Sequence, residues 1–131
     1  MSRRELREHI FRLLFRTEFH SAAEMTEQEN FYLGDLGEIS DGDRSYIQGK
    51  VDAICEKKAD LDGQIDAVAD KWKTERMTKV DLTVIRLAAY EMIYDEEVPT
   101  GVAINEAVEL AKRYGTEQSP SFVNAVLAKL A

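Results

Sequence analysis

Arg4, Arg7, Phe11 and Phe15 recur every three or four residues, so on a helix turning 100° per residue they fall within an arc of about 80°. A guanidinium offers a planar fork of donors that suits a phosphate, and an aromatic face can stack an unpaired base. Interleaved along one face, the two residue types make a surface that single-stranded RNA can use. The same spacing also suits a plain apolar stripe, which leaves Phe11 and Phe15 open between surface and core. Phe122 is a second lead. It lies near the start of the last apolar-periodic segment, roughly 90° from the centre of its stripe. A ring there would stack a base while the helix N-terminus receives a phosphate. The plain alternative is a partly buried capping contact.

Catalytic constellations are missing. His9 and His20 are the only histidines and Cys55 is the only cysteine. There is no HExxH pair, nucleophile elbow, phosphate loop or GxGxxG turn. Asp95, Glu96 and Glu97 precede Pro99 at a helix end, where solvated surface charge accounts for them more simply than acid–base work. Asn105, Glu106 and Glu109 read as helix-to-helix polar contacts. A lone cysteine makes neither an internal disulfide nor a zinc framework, and it points to a reducing compartment. The expectation is a chain that is not an enzyme and needs no metal or cofactor.

The elements that must position these residues are helical. The spacing predicts about seven helices in one compact domain spanning 1–131, with no β alternation and no repeat. The first runs from about 3 to 22 on a stripe of Leu6, Ile10, Leu13 and Leu14. A short helix near 26–33 and a loop follow, in the least legible stretch, 23–43. Asp43 caps a third helix, in which Ile47, Val51, Ile54 and Cys55 share the core stripe and the thiol is buried and inert. Asp60 caps a fourth, carrying Leu61, Ile65, Val68 and Trp72. Thr78 and Asp81 resemble a capping box for a fifth helix that is apolar nearly all round and therefore central. Pro99 and Gly115 bracket the sixth helix. Ser119 and Pro120 start the seventh, with Val123, Val126, Leu127 and Leu130 as its stripe.

With 131 residues and a net charge of −8, the chain is long enough to bury a core without covalent staples, but it is acidic for an RNA binder. The charge is unevenly spread. Residues 1–16 hold five arginines against two glutamates, whereas 18–66 hold thirteen acids against four bases. A basic end on an acidic body orients a polyanion onto one face; a solvated helix with scattered arginines is the plain alternative. Arg12 and Arg16 interrupt the N-terminal apolar stretch, and no run approaches the roughly 20 residues of a bilayer span. A cytoplasmic protein with no membrane partner is expected.

Three stretches, RLAAYE at 86–91, VAINEAVELAKRYG at 102–115 and FVNAVL at 122–127, together with LREHIFRLLF at 6–15, resemble the NusB family in order and over essentially the whole chain. Ala125, Ile10 and Arg12 stand where that family often has glycine, alanine and glutamine. The resemblance implies an all-α fold of seven helices in two packed bundles. It also implies antitermination in ribosomal RNA operons: binding of boxA RNA as a heterodimer with NusE, a small-subunit ribosomal protein, and entry into the RNA polymerase antitermination complex. By resemblance, Arg3, Arg4, Arg7, Gln118 and Phe122 fall at RNA-binding positions. Phe15, Glu75 and Asp81 fall on the partner-protein surface, where acids suit a basic ribosomal protein. A NusB-like domain also precedes the catalytic domain of some RNA cytosine methyltransferases, but no catalytic cysteine motif or cofactor-binding segment is found here. A helical adaptor without RNA contact is the other alternative. Monomer and homodimer both remain open.

Overall fold

The computed structural model describes all 131 residues. It contains seven α-helices and no strand: α1 (Arg3–Arg16), α2 (Ala22–Asp35), α3 (Asp41–Glu56), α4 (Lys58–Val68), α5 (Lys79–Tyr94), α6 (Thr100–Tyr114) and α7 (Ser119–Leu130), with a 3₁₀ turn at Thr74–Arg76 between α4 and α5. The chain forms two compact units, Met1–Cys55 and Glu56–Ala131.

In the first unit, two Ser-x-x-Glu boxes set the helix starts. Ser2 Oγ accepts from the Glu5 N–H at 3.1 Å while Glu5 accepts from the Ser2 N–H, and Ser21 and Glu24 repeat the exchange. Each box satisfies backbone donors that the helix leaves orphaned. α1 stops at Arg16, short of the expected 22, because the Thr17 hydroxyl turns back onto the Leu14 carbonyl at 2.5 Å and the second box then opens a new helix. That helix, α2, is longer than the expected 26–33 segment and ends where Gly37 takes φ +77°, a left-handed position suited to glycine. The cap of α3 is Ser40, whose Oγ accepts from the Asp43 N–H at 3.1 Å, and not Asp43. Ile47, Val51 and Ile54 are buried as expected, but Cys55 is exposed. The stripe ends at Ile54, and the next residue points about 100° away.

In the second unit, α5 packs against α4, α6 and α7. Every residue from Asp81 to Ala89 is buried, in keeping with a helix apolar on most of its circumference. Arg86 reaches α4 and donates from Nε and Nη2 to the two carboxylate oxygens of Asp62, each at 2.7 Å. α4 begins after Lys57, with Asp60 inside its first turn. It ends at Val68, so Trp72, expected on its stripe, stands outside any helix and is 53% exposed. The Thr78–Asp81 box has one arm only: Thr78 Oγ accepts from the Asp81 N–H at 3.2 Å. Gln118 is the cap position of α7 and Ser119 its first residue, a shift of one residue. The structure has no helix long and apolar enough to cross a membrane.

Candidate nucleic-acid interface

The N-terminal arginines belong to the first unit. Arg3 and Arg4 are exposed on the opening turn of α1, whereas Arg7 is 8% exposed. The Ser2–Glu5 box fixes that turn, and the Met1 amine donates to Asp43 at 3.0 Å, tying it to the start of α3. Further along α1, Arg12 pairs with Glu8 at 3.1 Å, and Arg16 donates to Gln28 and lies 4.9 Å from the Tyr32 ring centroid. His9 contacts the Tyr32 hydroxyl at 2.6 Å, and burial followed by the nearby Arg12 charge pushes its pKa down. The shift favours the neutral imidazole.

The Arg4/Arg7/Phe11/Phe15 face is not the open stripe that helical spacing allows. Phe11 is 2% exposed and is core. Phe15 is half-buried, its ring stacked on Phe11 at 6.1 Å between centroids and meeting Phe19 edge-on at 5.2 Å. An aromatic row thus leads from the core to Phe19, which is 60% exposed.

Gln118 and Phe122 lie together in the second unit, at the start of α7, where Gln118 is exposed and Phe122 half-buried. A close approach fixes their position. Ser119 is 2% exposed; its Oγ accepts from the Thr116 N–H at 3.0 Å and presses against Gly115, where an added Cβ would stand 2.4 Å from it. Only glycine lets the chain turn so tightly from α6 into α7.

Phe122 is not alone. With Val126, Ala125 and Lys129 of α7 it lines a cleft of about 270 Å³ closed on the other side by Val68, Ala69, Asp70, Lys71 and Trp72. The spacing of Trp72 from Leu61 and Ile65 imitates a core stripe, so that spacing gives no hint of its place in this cleft. What sets it apart in the sequence is the lysine on each side, Lys71 and Lys73.

The sequence motifs and the seven-helix order find their counterpart among known proteins. A profile of the NusB family matches residues 4–131. The chain belongs to the NusB family. It is 50% identical over 131 residues, covering all of both chains, to a transcription antitermination protein NusB of Agathobacter rectalis. The solved NusB of T. maritima superposes with a TM-score of 0.87 at 33% identity, covering 100% of this chain and 91% of that one. A crystallised complex of the antitermination factors NusB and NusE with dsRNA contains a chain of the same fold, with a TM-score of 0.83 at 22% identity over 98% of this chain and 94% of that one. NusB-family proteins act as antitermination factors, a role without catalysis.

The positions that the NusB resemblance assigns to a protein partner differ in exposure. Glu75 is exposed on the 3₁₀ turn. Asp81 is 8% exposed, and its Oδ1 is buried without a hydrogen-bond partner in the chain. An orphaned buried acceptor costs about 1–3 kcal/mol.

Proposed function

We propose that this chain is a transcription antitermination factor that binds the boxA element of ribosomal RNA transcripts as a heterodimer with NusE and joins the RNA polymerase antitermination complex. The observation that carries the reading is the end-to-end identity of 50% to an antitermination protein. The chain of the same fold found with NusE and dsRNA supports both partners.

In this reading, Arg3 and Arg4 supply the exposed phosphate contacts of the first unit. Arg7, being buried, holds the base of that cluster in place and reaches RNA with little more than its tip. Gln118 and Phe122 contact the strand at the start of α7. Phe15, Glu75 and Asp81 face the ribosomal protein, where acids complement a basic partner. Self-association through the same three residues would compete with NusE.

The two-component site resolves the charge problem. A chain of net charge −8 binds RNA weakly through a small basic end, and a basic partner extends the surface. Titrating labelled boxA RNA with the chain, with NusE and with their mixture tests this. The mixture binds more tightly than either component. A mixture no tighter than NusE alone would assign the chain to protein binding only.

A further inference from the structure

Trp72 is the sole tryptophan, and the structure holds it open. Residues 69–73 leave α4 and are pinned from behind by Asp66. Its two carboxylate oxygens accept from the Thr74 N–H at 2.7 Å and the Thr74 hydroxyl at 3.0 Å, and its carbonyl accepts from Lys73 Nζ at 2.8 Å. The indole is therefore displayed on a fixed loop and not left on a mobile one. The Arg76 guanidinium sits 5.2 Å from the Trp72 ring centroid. A scattered exposed apolar side chain needs no explanation. This one lines an apolar cleft together with Phe122, Val68, Ala69, Ala125 and Val126, and Lys71 and Lys129 belong to the same lining. Lys129 is paired with Asp70, the one acid in the lining.

We infer that this cleft receives one unpaired nucleobase of the bound RNA, with the Trp72 ring as stacking platform and Phe122 as the facing wall. The inference rests on the RNA-binding reading above and adds to it a residue and a subsite. The match is chemical. A base is flat, aromatic and carried on an anionic backbone; the cleft offers a flat aromatic wall, an apolar interior and a cationic margin in a chain that is otherwise acidic. An aliphatic or acidic peptide would use either the apolar interior or the cations, but it would not need the displayed ring. Every base has a π-face, so the subsite is tolerant of base identity and contributes affinity more than sequence choice.

Because Trp72 is the only indole, its own emission reports the event. A boxA RNA oligonucleotide is titrated into the wild-type chain, then into the chain with NusE after subtraction of the NusE signal. RNA binding is followed separately by anisotropy of labelled RNA. Trp72 emission is quenched along the same isotherm as the anisotropy. Trp72→Ala weakens RNA binding about 5- to 150-fold, and Trp72→Phe, which keeps a ring, restores most of it. Single abasic substitutions along the RNA then reveal one nucleotide whose base matters to wild type but not to Trp72→Ala. RNA binding with unchanged emission and an indifferent Trp72→Ala variant would overturn the base subsite and leave the RNA reading standing. Quenching by NusE alone with no response to RNA would make the cleft part of the protein interface and overturn it also. No RNA binding under either condition would remove both readings together.

Discussion

Gly115 and Ser119 approach so closely that a Cβ on the glycine would stand 2.4 Å from the serine Oγ and 2.8 Å from the Ala111 carbonyl oxygen. This contact sets the angle at which α7 leaves α6, and hence where Gln118 and Phe122 are presented. Gly115→Ala should cost about 1–3 kcal/mol, as overpacking does, and should weaken RNA binding beyond the effect of stability alone. Denaturant melts and RNA titration at a temperature where the variant is fully folded check this. A variant with wild-type stability would show that the turn relaxes without cost.

Asp62 and Arg86 join α4 to the central helix. Arg86 is 8% exposed, so Asp62→Ala removes both acceptors of a bidentate pair and leaves a largely buried cation without them. A loss of about 2–3 kcal/mol is expected from the charge-assisted bonds. Arg86→Met/Asp62→Leu should recover part of it, since an apolar pair carries no desolvation penalty. Chemical denaturation of the single and double variants measures both.

Glu29 carries the clearest pH signature. Burial first, then the neighbouring Asp52 charge and a hydrogen bond to that carboxylate, raise its pKa from 4.5 to about 7. Between those values the folded chain holds a proton that the unfolded chain has released. Stability from this group is therefore full below 4.5, falls as pH rises to about 7 and is flat above. Glu29→Gln stays neutral throughout and should flatten that part of the profile and raise Tm at pH 8. An unchanged slope in the variant would mean that other groups set it.

Arg3 and Arg4 are the exposed test of the basic end. Arg3→Ala/Arg4→Ala should leave Tm unchanged and make the slope of log K against log salt shallower by about 1.4 for a single strand. Arg7→Glu would be a poor probe of binding, because it places an acid at a buried position and destabilises the fold. An unaltered salt slope in the double variant would take the first turn of α1 out of the RNA surface.

How far the sequence carried can be judged at particular residues. The order of seven helices, the central α5 and the α6 stop at Gly115 were legible, because apolar periodicity and strong breakers act locally. The length of α1 was not. Phe19 continues a plausible periodicity, and only the Thr17 hydroxyl and the Ser21 box end the helix. Cys55 and Trp72 depart from their expected stripes for one shared reason: helical spacing says which face a residue occupies only while the helix lasts or the stripe continues. Arg7 and Phe11 show the converse. A face that reads as amphipathic is buried wherever other elements cover it, and no local pattern reports that. The angle of Phe122 on α7 singles it out in the sequence, but Trp72, which lines the same cleft, lies fifty residues earlier in the chain, beyond the reach of periodicity.

In the proposed function, an acidic chain and its partner together read a specific RNA. Its most direct test is the affinity of the chain–NusE mixture for boxA RNA against a scrambled strand of equal length, at one salt concentration near physiological. A preference of at least about tenfold for boxA, about 1.4 kcal/mol, is expected, lost when Arg3, Arg4 and Phe122 are all replaced by alanine. Equal affinity for the two strands, or a preference that survives the triple replacement, would contradict it.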